Sequence, residues 1–240
     1  MNVVAVVNES SDITDRQARL ITKACHVQIA KHVAPLWYFE PWPVRFYTRG
    51  KDAPKNSLVV VILEDEEAAD GLGYHDETPA GLRYARVFTR PVLEEDGSVH
   101  HGAHSISAAL SHEVIEAFID PDLNIWAEGR PGEMWAYEAC DPVQEDAYRI
   151  RANGRYVYVS NFVLPTWFDL QNPKGTHYDY LRRVKKPFEM TRGGYAIFWN
   201  GSGAEQIIDG PKLRRKRDKG PKNHPAARSQ RRTGGRVHFE

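Results

Sequence analysis

The run from Ser105 to Pro121, S-I-S-A-A-L-S-H-E-V-I-E-A-F-I-D-P, constrains this chain more than any other stretch. Its pattern predicts one helix of about four turns. Ser105 can cap the start by accepting from a first-turn amide, and Pro121 biases Asp120 out of the helical region and ends it. Ile106, Ala108, Ala109, Leu110, Val114, Ile115, Ala117, Phe118 and Ile119 make it apolar nearly all round. That is the pattern of a buried helix. Yet His112, Glu113 and Glu116 stand in its middle, and burying ionisable groups is costly unless they are paired or hold a metal. His112 and Glu116, four apart, share a face, and Glu113 lies about 100° round from His112. The spacing is that of the H-E-x-x-H zinc-protease helix, with glutamate in place of the second histidine.

Around this helix the chain predicts an α/β (α+β) domain. Val3–Val7, Val44–Thr48, Ser57–Leu63 and Leu82–Thr89 read as strands, and a helix is expected from about Asp12 to Val33, with Ser11 or Asp12 as its cap. Leu82–Thr89 is expected at a sheet edge because Pro91 closes it. Gly71, Gly73, Pro79 and Gly81 mark a long loop before it, and Glu95-Asp96-Gly97 marks a turn after it. Asn153-Gly154, between Tyr148–Ile150 and Tyr156–Val159, is the strongest hairpin signal in the chain. Met134–Asp141 is compatible with helix or strand. The aromatics between Phe162 and Trp199 read as core or pocket wall.

The bulk numbers exclude several classes. No run of 18 apolar residues exists, so no membrane span is expected. The first residues lack the basic region of a secretion signal. Two cysteines, Cys25 and Cys140, do not make a disulfide scaffold, and a reducing, cytoplasmic setting follows. The net charge of zero conceals an asymmetry. Residues 211–240 hold eleven of the 32 basic residues and two of the 32 acidic ones, leaving 21 basic and 30 acidic residues in the first 210. The expected division is therefore a folded domain over 1–210 and an extended basic tail over 211–240.

A zinc hydrolase needs three protein ligands, an open position for water and a carboxylate that takes the water's proton. His112 and Glu116 are two candidate ligands and Glu113 the candidate base. Glu138 or Asp141, in E-x-x-D some twenty residues on, supplies the third ligand. If that piece is helical the two acids share a face, and one can ligate while the other steadies His112. Asp120 and Asp122 are weaker candidates. His100, His101 and His104 invite a metal reading, though exposed loop histidines are common. Cys140 reads as a small buried hydrophobe, and Tyr156, Tyr158 and His177 as candidate donors to a transition state. The competing reading is an ordinary i,i+4 pair between His112 and Glu116, with Glu138 and Asp141 as a cap or salt bridge.

S-H-E-V-I-E-A-F-I-D-P, E-A-C-D-P-V and V-S-N-F-V-L-P-T-W-F, preceded by G-Y-H-D-E-T-P-A-G-L-R-Y-A-R-V-F from Gly73, resemble a group of zincin-like proteins of bacteria and their phages. The resemblance covers roughly Gly73 to Gly194. It implies a zincin-like fold, with a mixed sheet, a backing helix and an active-site helix. It also implies a divalent metal, zinc first, and a metallopeptidase acting on peptide or protein. Some members of the group look like virion components, so the alternative is an inactive scaffold incorporated in a virion. One histidine with two carboxylates brings a divalent site close to neutrality, which makes harder ions such as Mn²⁺ or Ca²⁺ competitive. In the tail, Arg214, Arg215, Lys216 and Arg217 are the expected contacts to virion proteins or nucleic-acid phosphates.

Overall fold

A computed structural model describes residues 3–65, 71–78, 81–173 and 175–199, with the backbone of 204–208. The basic tail, including Arg214, Arg215, Lys216 and Arg217, lies outside the described residues. The molecule is a mixed α/β protein of the α+β type. Its larger sheet has the order β2-β1-β3-β5-β4, built from β1 (Val4–Asn8), β2 (Val44–Tyr47), β3 (Leu58–Leu63), β4 (Gly73–Glu77) and β5 (Arg83–Phe88). The first four in spatial order run parallel, and β4 runs antiparallel to β5. The expected edge position of Leu82–Thr89 is therefore wrong: β5 is internal, and the edge belongs to β4, inside the expected loop. Pro91 does not mark an edge. It opens a short helix, α3 (Arg90–Glu94), where a missing amide costs nothing.

Two helices cover one face of this sheet. The first, α1 (Asp15–Gln28), is capped by Thr14 rather than Ser11 or Asp12. The Thr14 hydroxyl accepts from the Gln17 amide, and the Gln17 side chain accepts from the Thr14 amide. Ser11 instead donates to Glu64, and Asp12 accepts from the Thr89 hydroxyl, so both tie loops together. Pro35 does not break the helix. The chain runs through a π-helical turn (Ile29–Val33), in which the Ala34 amide donates to the Ile29 carbonyl, into α2 (Ala34–Trp37). The other helix is α4 (Ile106–Ile119), whose cap is Ser105 as expected: its hydroxyl accepts from the Ala108 amide at 3.2 Å. Every residue of α4 is buried except His112. Val4, Val6, Leu58, Val60, Ile62, Ala85 and Val87 belong to the same core as Ile106, Leu110 and Val114.

The rest of the chain folds over the helices. β6 (Trp126–Glu128), β7 (Met134–Ala136), β10 (Tyr195–Trp199) and β11 (Ala204–Ile208) form a second sheet in the order β11-β10-β7-β6. β8 (Ala147–Ala152) and β9 (Arg155–Ser160) form the expected hairpin, with Asn153 and Gly154 both at positive φ as its two-residue turn demands. β9 is tied to α4 through Ser107, which donates to the Tyr158 carbonyl, and Ser111, which accepts from the Ser160 amide. Phe162, Trp167, Phe168, Tyr178 and Tyr195 are buried, as core aromatics should be. Among the described residues no helix is long and apolar enough to cross a membrane.

Candidate metal centre

Helical spacing sets out three of the site's side chains. On a wheel of about 100° per residue, Glu116 falls between His112 and Glu113, about 40° from the first and about 60° from the second. It can therefore serve both neighbours, and it does. Glu116 Oε2 lies 3.2 Å from His112 Nε2 and 3.7 Å from Nδ1 of a second histidine, His75. Its other oxygen, Oε1, accepts from the Cys140 amide at 3.2 Å, which fixes the carboxylate's orientation.

The E-x-x-D segment reaches the site, though not as a helix. It is a turn between β7 and the 3-10 turn Asp141–Val143, held by the Cys140-to-Glu116 bond and by the Val163 amide donating to the Ala139 carbonyl. The turn points both acids inward and separates their roles. Asp141 Oδ1 stands 3.1 Å from His112 Nε2, whereas Glu138 Oε2 faces His75 Nε2 at 3.7 Å. Asp141, not Glu138, is thus the acid that completes a triad with His112 and Glu116.

His75 is the residue that sequence reasoning missed. It lies on β4, paired with Ala85 of β5. Cross-strand partners share a face, and Ala85 belongs to the helix-facing core, so His75 is aimed at α4. Its Nδ1 lies 3.4 Å from Glu113 Oε2. Gly73, two residues earlier, shares that face, and there the fit is tight. A Cβ at Gly73 would meet the Arg86 carbonyl oxygen at 2.7 Å and both Cγ and Oε1 of Glu113 at 3.0 Å. Glycine is what allows the Glu113 side chain to lie against the strand.

Two triads result, His112–Glu116–Asp141 and His75–Glu113–Glu116, and Glu116 belongs to both. Neutral imidazole carries one N–H, and His112 Nε2 faces two carboxylate oxygens. It cannot donate to both, and Glu116 Oε2 and Asp141 Oδ2 are buried without a hydrogen bond. Ligand atoms about 2.1 Å from a common tetrahedral ion lie about 3.4 Å apart. The 3.1 and 3.2 Å spacings around His112 are close to that edge. The donor set of one imidazole and two carboxylates suits a divalent cation.

The electrostatics of the metal-free cluster agree. Burial pulls the His112 pKa down, but Glu116 and Asp141 outweigh it and hold the imidazole well above its ordinary value. Burial pushes Glu116 up to about 8; His112 opposes this, and Asp141 and Glu138 add to it. Burial, reinforced by Glu116, pushes the Cys140 thiol well up, so Cys140 is a neutral packing residue here.

The weaker candidates lie elsewhere. Asp120 accepts from the amides of Asn124 and Ile125 and so shapes the loop after α4, and Asp122 pairs with Arg83. His100 packs on His101, and His104 faces Glu95; none joins a metal-holding group among the described residues. Tyr156 lies under Arg149 and Tyr158 beside His101. His177 lines a surface hollow with Arg182 and Lys185. No family model, curated protein sequence or solved structure matches the chain.

Proposed function

We propose that this protein is a zincin-like, divalent-metal-dependent hydrolase, with the peptide bond as its substrate. The observation that carries the reading is His112 Nε2 set between two buried carboxylate oxygens at ligand spacing, with a third carboxylate, Glu113, within 4.8 Å of Glu116. His112, Glu116 and Asp141 would hold the ion, zinc first. When bound, the ion supplies Lewis acidity to a carbonyl and lowers the pKa of a water. Glu113 takes the proton of the attacking water as oxygen bonds to the carbonyl carbon. It then returns a proton to the amine as the C–N bond breaks.

Substrate access follows from exposure. His112 is the member of the centre that meets solvent, its side chain 15% exposed against 1% for Glu116 and Asp141. Because β5 is internal, the strand open to an added peptide strand is β4, the sheet edge that carries His75. An extended peptide paired there would run past the centre.

The test is hydrolysis of a peptide library by the metal-loaded chain. Cleavage that falls by about 10²–10⁴-fold in Glu113→Gln, with the ion still bound, supports the reading. Cleavage that survives Glu113→Gln, or a chain that binds no ion, overturns it. Glu113 is only 5% exposed, which favours a second reading, a catalytically inactive zincin-like scaffold in a phage virion. A chain that holds its ion and cleaves no library peptide would select that one.

A further inference from the structure

The centre holds more groups of ligand type than one ion uses. Glu113, Glu116, Glu138 and Asp141 are four carboxylates, each at most 5% exposed, around two imidazoles. One divalent ion at His112, Glu116 and Asp141 leaves His75 and Glu113, two further groups of ligand type, beside the same Glu116 carboxylate.

We infer that the site is a dinuclear cation centre bridged by Glu116, with a second divalent ion held by His75 Nδ1, Glu113 Oε2 and Glu116 Oε2. This rests on the proposed function for its first ion, at His112, Glu116 and Asp141. Three observations carry the second. The His75 Nδ1 distances of 3.4 Å to Glu113 and 3.7 Å to Glu116 are close to the edges of a ligand polyhedron. Glu116 Oε2, 1% exposed as a residue, makes no hydrogen bond and points between the two histidines. Glu138 Oε2 stands 3.7 Å from the other ring nitrogen of His75, too far for a hydrogen bond, but its charge favours a proton on Nε2 and so leaves Nδ1 to ligate. Paired ions about 3.5–4 Å apart, sharing a carboxylate, are a recurrent hydrolytic arrangement. Glu113 then has two roles on two atoms: Oε2 ligates and Oε1 takes the water's proton.

The experiment uses the full chain, stripped with a chelator and reloaded with Mn²⁺, read by metal analysis and low-temperature electron paramagnetic resonance. The expected result is about two Mn²⁺ per chain with an exchange-coupled signal. His75→Ala and His112→Ala should each leave about one ion and abolish the coupling. About one ion, lost in His112→Ala and kept in His75→Ala, overturns the second site and leaves the hydrolase reading standing. A single ion that follows His75 instead overturns both, as does an ion-free chain. Two uncoupled ions overturn the Glu116 bridge. The coupled signal is read on the unaltered chain, so it decides the bridge whether or not each variant folds.

Discussion

Two of the buried clusters that hold carboxylates among the described residues are built on opposite principles. At Asn161 and Asp179, 0% and 1% exposed, donors and acceptors match. Asn161 Nδ2 donates to Asp179 Oδ2 at 2.7 Å, the Val184 amide donates to Asp179 Oδ1 at 2.8 Å, and the Leu181 amide donates to Asn161 Oδ1 at 3.2 Å. Nothing further is needed there, and the cluster pins the chain after β9 to the loop beyond it. Around His75 and His112 four buried carboxylates face two imidazoles, and Glu116 Oε2 and Asp141 Oδ2 have no hydrogen bond. A saturated cluster is a fastener. An unsaturated one at equal burial has the make-up of the proposed ion site.

The largest stability effect should come from breaking the matched cluster. Asp179→Ala strands the Asn161 amide and the Val184 N–H in the interior, at about 1–3 kcal/mol for each orphaned group. Urea denaturation should show a loss of about 3 kcal/mol in total, the same with or without chelator. A chelator-dependent loss would mean that this cluster too serves an ion.

At the unmatched cluster the sign reverses. Removing the ion from the unaltered chain should cost about 2.7 kcal/mol relative to free metal at a hundred times its Kd. Glu116→Gln should abolish that difference and, in chelator, be at least as stable as the parent, because a neutral amide escapes the cost of keeping a buried acid protonated above its ordinary range. If Glu116→Gln in chelator were as damaging as Asp179→Ala, the distinction between fastener and binding site would fail. Gly73→Ala comes next, at about 2 kcal/mol, because its methyl overpacks the Arg86 carbonyl and the Glu113 side chain. It should also lower hydrolysis more than stability explains, since the group displaced is the candidate base.

How much of this was legible in the sequence depends on whether a residue advertises itself locally. The α4 helix did: an apolar run with an N-cap and a terminal proline carries its own boundaries, and helical spacing alone places Glu116 between His112 and Glu113. The apolar strands β1 and β3 did so for the same reason. The β4 strand did not, because G-Y-H-D-E is polar, contains no β-branched residue and owes its extended state to pairing with β5. Without that strand, His75 reads as a loop histidine, and half of the centre is invisible. A signal was available in Gly73 and His75 as i and i+2, one face of a strand, directly ahead of Arg83–Phe88. Glu138 and Asp141 were found for an incomplete reason. They do converge, but through a turn tied to Glu116 by the Cys140 amide, which is a tertiary contact no local pattern encodes. Ser11, Asp12 and Thr14 all have side chains that can cap a helix, and only the loop partners Glu64 and Thr89 decide among them.

The smallest effect is a slope with pH, and it separates the two clusters without any substitution. In the metal-free chain His112 is held well above 6.5 and Glu116 is raised from 4.5 to about 8. For His112, a raised folded value means that stability is fully present below about 6.5 and is lost as pH rises through the folded value. For Glu116, the folded state favours the neutral acid, so the penalty for ionising it grows from pH 4.5 to about 8 and then levels off. Both groups bind protons more tightly folded than unfolded, so both slopes run downward, at no more than about 1.4 kcal/mol per pH unit for each net proton. Denaturation of the chelated chain between pH 5 and 8 should therefore show stability falling with pH, on the order of 1 kcal/mol per unit. An added divalent ion should flatten the slope, because it takes the place of those protons and binds more tightly as they leave. A chelated chain whose stability rose over this interval would mean that the carboxylates around His75 and His112 are already matched, as they are at Asp179.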